Sequence, residues 1–168
     1  EAMRAWAELS FSSDEEDALL ALQPEAVAFV HELRLETLLW DGRLREAERM
    51  LARVPEDLRA VARARIALQQ DAKGVNGLID AVPKARAGDA GLAHDRFIWR
   101  MKRDLYDEAL ELILARSGSA ESLGRPEAWA ERRAILTRWL MRRGRPAEAY
   151  KVAADHRIAP GGGGASDQ

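Results

Sequence analysis

Apolar residues recur along this chain at intervals of three and four. Leu44, Ala47, Met50, Leu51 and Val54 share one helical face, and Tyr106, Ala109, Leu110 and Ile113 share another. The same spacing links Ala26, Val30, Leu33, Thr37 and Trp40; Leu58, Val61, Ala62 and Ile66; and His94, Phe97, Ile98, Met101 and Leu105. A last stripe, Ala128, Trp129, Ile135, Leu136, Trp139 and Leu140, is too wide for a lone surface helix and is expected to pack on both sides. No stretch alternates with period two and β-branched residues are sparse, so the pattern predicts an all-α chain.

Punctuation between the stripes sets the expected boundaries. Residues 1–10 read as a helix. Ser12 and Ser13 ahead of Asp14, Glu15 and Glu16 supply an N-cap, a capping-box glutamate and acids near the positive helix end, so a short helix runs to about Gln23. Pro24 suits the first turn of one further helix that stops at Asp41-Gly42. Residues 56–70 form an amphipathic helix, 75–82 a weaker one ended by Pro83, and 84–91 a loop. A helix begins at about Leu92, 117–124 is a loop, and Arg125-Pro126-Glu127 opens the next helix. The last hairpin runs to about Ile158, leaving 159–168 as a flexible Gly-rich tail or linker.

One pattern returns. Gly42 is followed four and five residues later by Glu46-Ala47, and Gly144 by Glu148-Ala149; Asp104 precedes Glu108-Ala109 at the same spacing without the glycine. Glycine there ends a helix in the left-handed conformation, and the alanine is small enough to sit where two helices cross. Each unit is thus a helical hairpin with a stripe it cannot bury alone, which is the logic of a helical solenoid. The copies lie 62 and then 40 residues apart, which disfavours a strict tetratricopeptide array with its period of about 34. The expected fold is an irregular series of hairpins forming an alpha-superhelix over residues 1–158.

Composition narrows the chemistry. Twenty-six Lys and Arg against 28 Asp and Glu, interspersed, give no broad basic face for nucleic acid. Cysteine is absent, which removes disulfides, zinc-thiolate sites and thiol nucleophiles. No run approaches the roughly 18 apolar residues of a membrane span. The chain opens almost at once on apolar helix with no initiator Met, which suggests a piece of a longer protein.

Several stretches together, Leu38-Leu39-Trp40 with Gly42-Arg43-Leu44, ARARIALQQDAKGVNGLIDAVP (62–83), GLAHDRFIWRMKRDLYDEAL (91–110), GRPEAWAERRAILTRWLMRRG (124–144) and AYKVAADHRI (149–158), resemble the superhelical, ring-forming domain of soluble lytic murein transglycosylases, alphaproteobacterial type. The likeness covers most of 35–158. It implies a periplasmic setting and a parent enzyme that cleaves peptidoglycan glycan strands to 1,6-anhydro-muramoyl ends. The family's catalytic Glu sits in a separate lysozyme-like domain, in a Glu-Ser motif followed by Gly-Leu-Met-Gln. Only Glu121-Ser122 matches here, in a polar loop without those neighbours or an apolar pocket to raise a carboxyl pKa, so no catalytic residue carries over. The expected role is to hold or position glycan for that catalytic domain, the partners being peptidoglycan strands or the domain itself. The alternative is a free-standing helical-repeat adaptor for another protein.

Other constellations are weaker. His31-Glu32 opens like a zinc-protease helix, but Leu35 stands where the second histidine belongs. His94 reads as a satisfied core histidine, and His156 as a cation at a helix end. Gly161 to Gly164 lacks the Lys-Ser/Thr, strand and helix of a phosphate loop, and no cofactor or metal is expected. Of the five tryptophans, most are expected in the core. Arg132, Arg138, Arg142 and Arg143, with Trp139, remain as candidate glycan or partner contacts; their competing reading is a solvated, salt-bridged face.

Overall fold

The structure is a computed structural model that describes residues 1–159, so the tail expected at 159–168 lies outside it except for Ala159. The described residues are helical throughout their regular structure, with no strand among them. The chain divides into two compact units, Glu1–Ala87 and a second that begins at Gly88. The first holds α1 (Ala2–Glu8), α2 (Ser13–Leu22), α3 (Pro24–Ala28), α4 (His31–Trp40), α5 (Leu44–Met50), α6 (Glu56–Gln69) and α7 (Val75–Asp80). The second holds α8 (Ala90–Lys102), α9 (Tyr106–Arg116), α10 (Ala120–Leu123), α11 (Ala130–Arg142) and α12 (Pro146–Ala154). Short 3₁₀ turns occupy Leu51–Arg53, Lys84–Arg86 and Pro126–Trp129.

The three repeat turns share one geometry. Gly42, Asp104 and Gly144 are left-handed, at φ 70°, 58° and 69°. In each, the next residue's N–H reaches back five residues: Arg43 to Leu38 O (2.9 Å), Leu105 to Arg100 O (3.0 Å) and Arg145 to Leu140 O (3.0 Å). These are Schellman closures, which satisfy carbonyls a helix end otherwise leaves open. A fourth closes α6, where Ala72 N–H bonds Ala67 O at 2.9 Å with Asp71 at φ 54°. No Glu-Ala pair follows Asp71, so the repeat pattern passes over it. The alanines of the three repeats are all buried, with Ala47 and Ala109 at 0% exposure and Ala149 at 1%.

In the first unit Trp6, Val27, Leu35, Leu38, Leu39, Ala47, Met50 and Ile66 form the core. Ser12 caps α2 as expected, with the Glu15 side chain returning the bond to the Ser12 N–H at 2.8 Å. The single helix expected from Pro24 to Trp40 is instead two, parted at Phe29-Val30, where Val30 sits at φ −118°, ψ 14°. The expected inward face also moves. Leu33 is 56% exposed, while Arg34 is fully buried beside Leu35 and Leu38. His31 and Arg34 made the true face look polar. They are admitted because Trp6 Nε1 donates to His31 Nδ1 (3.0 Å) and two carboxylates receive Arg34.

Arg34 is the centre of a buried network. Its Nη2 donates to Glu16 (2.8 Å) and Glu46 (3.0 Å), and its Nη1 to the carbonyls of Trp6 and Leu9. The guanidinium also lies 4.4 Å from the centre of the Trp6 ring. Arg49 donates to Glu16 at 2.7 Å, while Ser10 Oγ and Phe11 N–H donate to Glu46. One cation therefore joins α1, α2, α4 and α5. Burial acts to raise the Glu16 pKa, but the hydrogen bonds and charges of Arg49 and Arg34 prevail and hold it below the usual value.

In the second unit Phe97, Met101, Leu110, Ile113, Leu123, Trp129, Leu136, Leu140 and Val152 form the core. Trp129 Nε1 donates to Leu123 O at 3.0 Å, and its ring lies 5.1 Å from that of Phe97. Three boundaries differ from expectation. Asp89 caps α8 through Leu92 N–H, so that helix starts at Ala90 inside the expected loop. Ser119 caps α10, which turns part of the expected 117–124 loop helical and carries Glu121-Ser122. Pro126–Trp129 is a 3₁₀ turn ahead of α11. Of the stripe expected to pack on both sides, Trp129, Leu136 and Leu140 are buried and Ile135 and Trp139 half-buried, while Ala128, in the 3₁₀ turn, is exposed.

Candidate functional site

Two features on α11 bring chemistry-bearing side chains together. The first is an aromatic and cationic ledge. Tyr106, the first residue of α9, stacks on Trp139 with ring centres 4.8 Å apart and 23° between the planes. Arg143, one turn beyond Trp139, places its guanidinium 5.3 Å from the ring centre, and Arg145 lies at 5.9 Å. Trp139 is half-buried, and Tyr106 and these cations share its surroundings. A sugar ring cannot take the face that Tyr106 covers.

Charge around the ledge is lopsided. Arg145 is engaged, bonded to both Glu148 and Asp107, whose hydrogen bonds raise its pKa further. Arg132, Arg138, Arg142 and Arg143 make no ion pair among the described residues. The salt-bridged reading thus holds for Arg145 and not for these four. Asp104, two residues before it, raises the Tyr106 pKa, desolvation adds to this, and the charges of Arg142 and Arg132 oppose it. Trp139 and Arg143 therefore form the ledge with Tyr106, and the charges of Arg142 and Arg132 reach it.

Arg138 belongs elsewhere. It lines the second feature, a groove of about 370 Å³ walled by Ala130, Ala134, Thr137 and Arg138 of α11, by Ala153 of α12, and by His156 and Ile158 just beyond it. Arg133 forms part of the same wall. It is 4% exposed, with Nη1 on Val152 O (2.7 Å) and Nη2 on Ser117 Oγ (2.9 Å). Burial pushes its pKa down to about 10, against the opposing pull of Asp155. The signal for Arg133 was present in the sequence: it occupies the middle of the stripe Trp129, Leu136, Leu140, where only an apolar residue or a well-bonded cation fits.

The remaining candidates resolve simply. Trp6 and Trp129 are fully buried, whereas Trp40, Trp99 and Trp139 are half-buried, each with an arginine beside the ring: Arg65, Arg103 and Arg143. Trp99 and Arg103 stand in the α8–α9 hairpin where Trp139 and Arg143 stand in α11–α12, five and one residues before the left-handed turn. His94 Nε2 lies 3.2 Å from Ala128 O, and the ring edges onto Trp129 at 5.2 Å. Glu121 is exposed on α10. No cluster of His, Cys, Asp and Glu able to hold a metal occurs among the described residues, and no helix there is long and apolar enough to cross a membrane. Comparison with protein-family models, curated proteins and solved structures gave no match.

Proposed function

We propose that this chain is a glycan-holding, non-catalytic helical segment of a soluble lytic transglycosylase, with its hairpins continuing an alpha-superhelix in the parent protein. The family part of this reading rests on the sequence resemblance. The observation that supports binding is the set of arginines without ion pairs, Arg132, Arg142 and Arg143, around the Tyr106–Trp139 stack. Peptidoglycan offers carboxylates on its lactyl and peptide groups, and guanidinium groups free of protein carboxylates suit them. Contact through charge is favoured over stacking on Trp139, because Tyr106 covers that ring. Holding a strand raises its effective concentration at a catalytic domain, and the chain by itself performs no cleavage. The setting in this reading is the periplasm.

The test is a pull-down with isolated sacculi across a salt series, with soluble muropeptides measured in the same tubes. Each exposed ion pair is worth about 0.2–1 kcal/mol, so replacing all three arginines by glutamine weakens binding by roughly threefold to a hundredfold. Binding that ignores both salt and the triple variant overturns the reading, as does release of anhydro products. A second reading, a protein-binding adaptor, is favoured by exposed Leu22 (75%), Phe29 (86%) and Leu33 (56%) in the first unit. It predicts that a Phe29→Ser, Leu33→Ser variant loses a protein partner and keeps sacculus binding.

A further inference from the structure

Three buried arginines invite comparison. Arg34 meets Glu16 and Glu46, and Arg65 meets Glu36 at 2.9 Å. Arg133 meets only a carbonyl and a hydroxyl; a buried Nε without a hydrogen-bond partner among the described residues is shared with Arg34, so the missing carboxylate is what sets Arg133 apart. The acid whose charge acts on it, Asp155, is itself bonded to Arg157 at 3.4 Å, and the Arg157 charge works against that of Arg133. A buried cation without a carboxylate is costly, and a counter-charge that arrives from outside relieves that cost.

The groove at Arg133 is shaped to admit such a group. Ala130, Ala134 and Ala153 line it together with Ile158, and the Thr137 hydroxyl is already engaged on Arg133 O at 2.9 Å. Two further cations or donors stand at its rim. Arg138 is exposed and makes no ion pair among the described residues. His156 accepts the Ile158 N–H at Nδ1 (2.9 Å), so in the neutral ring the proton sits on Nε2, which is left to donate. At about 370 Å³ the groove falls at the small end of ligand sites, and alanine-lined walls fit small side chains.

We propose that this groove binds the free C-terminal carboxylate of a short peptide with small apolar side chains, the carboxylate being held by Arg138 and His156 in front of the buried charge of Arg133. The site is separate from the Tyr106–Trp139 ledge and does not depend on the glycan reading. Arg138 makes the direct, charge-assisted contact, and Arg133 supplies a fixed positive field while holding the end of α12. The alanine walls admit one or two methyl-sized side chains.

The probe is N-acetyl-Ala-Ala, titrated into the ¹⁵N-labelled full chain and followed by amide shifts. Expected are saturable shifts centred on Ala130, Ala134, Ala153 and His156, and binding weakened by about tenfold for the C-terminal amide of the same peptide. Arg138→Gln weakens binding several-fold, and Ala134→Leu, on an exposed position, abolishes it by filling the groove. Arg133→Gln risks the fold, so those two variants carry the test, each checked for an unchanged melting temperature. Equal affinity for acid and amide, tight binding of octanoate in place of the peptide, an unaffected Ala134→Leu variant, or no saturable shift by tens of millimolar would each overturn the proposal.

Discussion

Replacing Arg34 by methionine tests the account of the first unit most severely. The side chain is fully buried, and its loss strands two carboxylates that are 2% and 9% exposed, Glu16 and Glu46. Glu16 keeps Arg49, and Glu46 keeps Ser10 Oγ and the Phe11 N–H, so neither is left bare. The carbonyls of Trp6 and Leu9 lose their donor as well. Breaking a buried ion pair from one side costs about 3–5 kcal/mol, a large share of a total stability of about 5–15 kcal/mol. At roughly 2–4 °C per kcal/mol for a chain of this size, the melting temperature falls by about 6–20 °C. Circular dichroism at 222 nm with a urea series measures both quantities. Arg63→Met is the control: its 3.5 Å pair with Glu56 is half exposed, and its loss costs about 0.5 kcal/mol or less. Replacing Glu16, Arg34 and Glu46 together by apolar residues of like size recovers much of the loss, since the penalty is an uncompensated charge. An Arg34→Met chain within about 1 kcal/mol of the parent would show that the network does not hold these four helices.

Acid affects the same unit in two steps. His31 has a depressed pKa, first through burial and then through the charges of Arg53 and Arg34; the unfolded chain therefore binds the extra proton more readily, and stability declines as pH falls below about 6.5. His31→Gln removes that limb from a plot of melting temperature against pH. Glu16 is also depressed, so its contribution is complete above about pH 4.3 and is lost as pH falls through its lower folded value; Arg49→Met makes that loss smaller. At the repeat turns, Gly144→Ala costs about 1–2 kcal/mol from backbone strain alone, because an added Cβ meets nothing within 4 Å; Asp104→Ala costs less, as the parent residue already bears part of that strain, and urea midpoints rank the two. In the second unit Leu140→Ala costs about 2–5 kcal/mol, read in the same way, since the side chain is fully buried in the core that also holds Trp129 and Leu136.

Local signals were legible wherever a residue's preference and its neighbours agreed. The Ser12–Glu15 capping box, the glycine turns and the buried alanines of each hairpin follow from backbone sterics and spacing within a few residues. Asp104 shows that the turn outlasts its glycine, because aspartate tolerates the left-handed region better than most side chains. The inward face of α4 is not legible from periodicity, for a definite reason. Arg34 and His31 count as polar in any periodicity, and only carboxylates and a tryptophan brought from α1, α2 and α5 make their burial tolerable.

The candidate site divides along the same line. That Arg132, Arg138, Trp139 and Arg142 share one helix, with Arg143 at its end, is a property of the sequence, since 3.6 residues per turn fixes their directions about α11. Which of them work together is not. The stacking of Tyr106 on Trp139 joins residues 33 positions apart, and the wall that Ala153 and His156 add beside Arg138 comes from a different helix end. The chain by itself determined its helices, its hairpin turns and its all-α class, because those depend on interactions a few residues long. Tertiary structure decided which arginines are neutralised, which is buried without a carboxylate, and where a groove opens, because charge and burial are set by residues that only folding brings together.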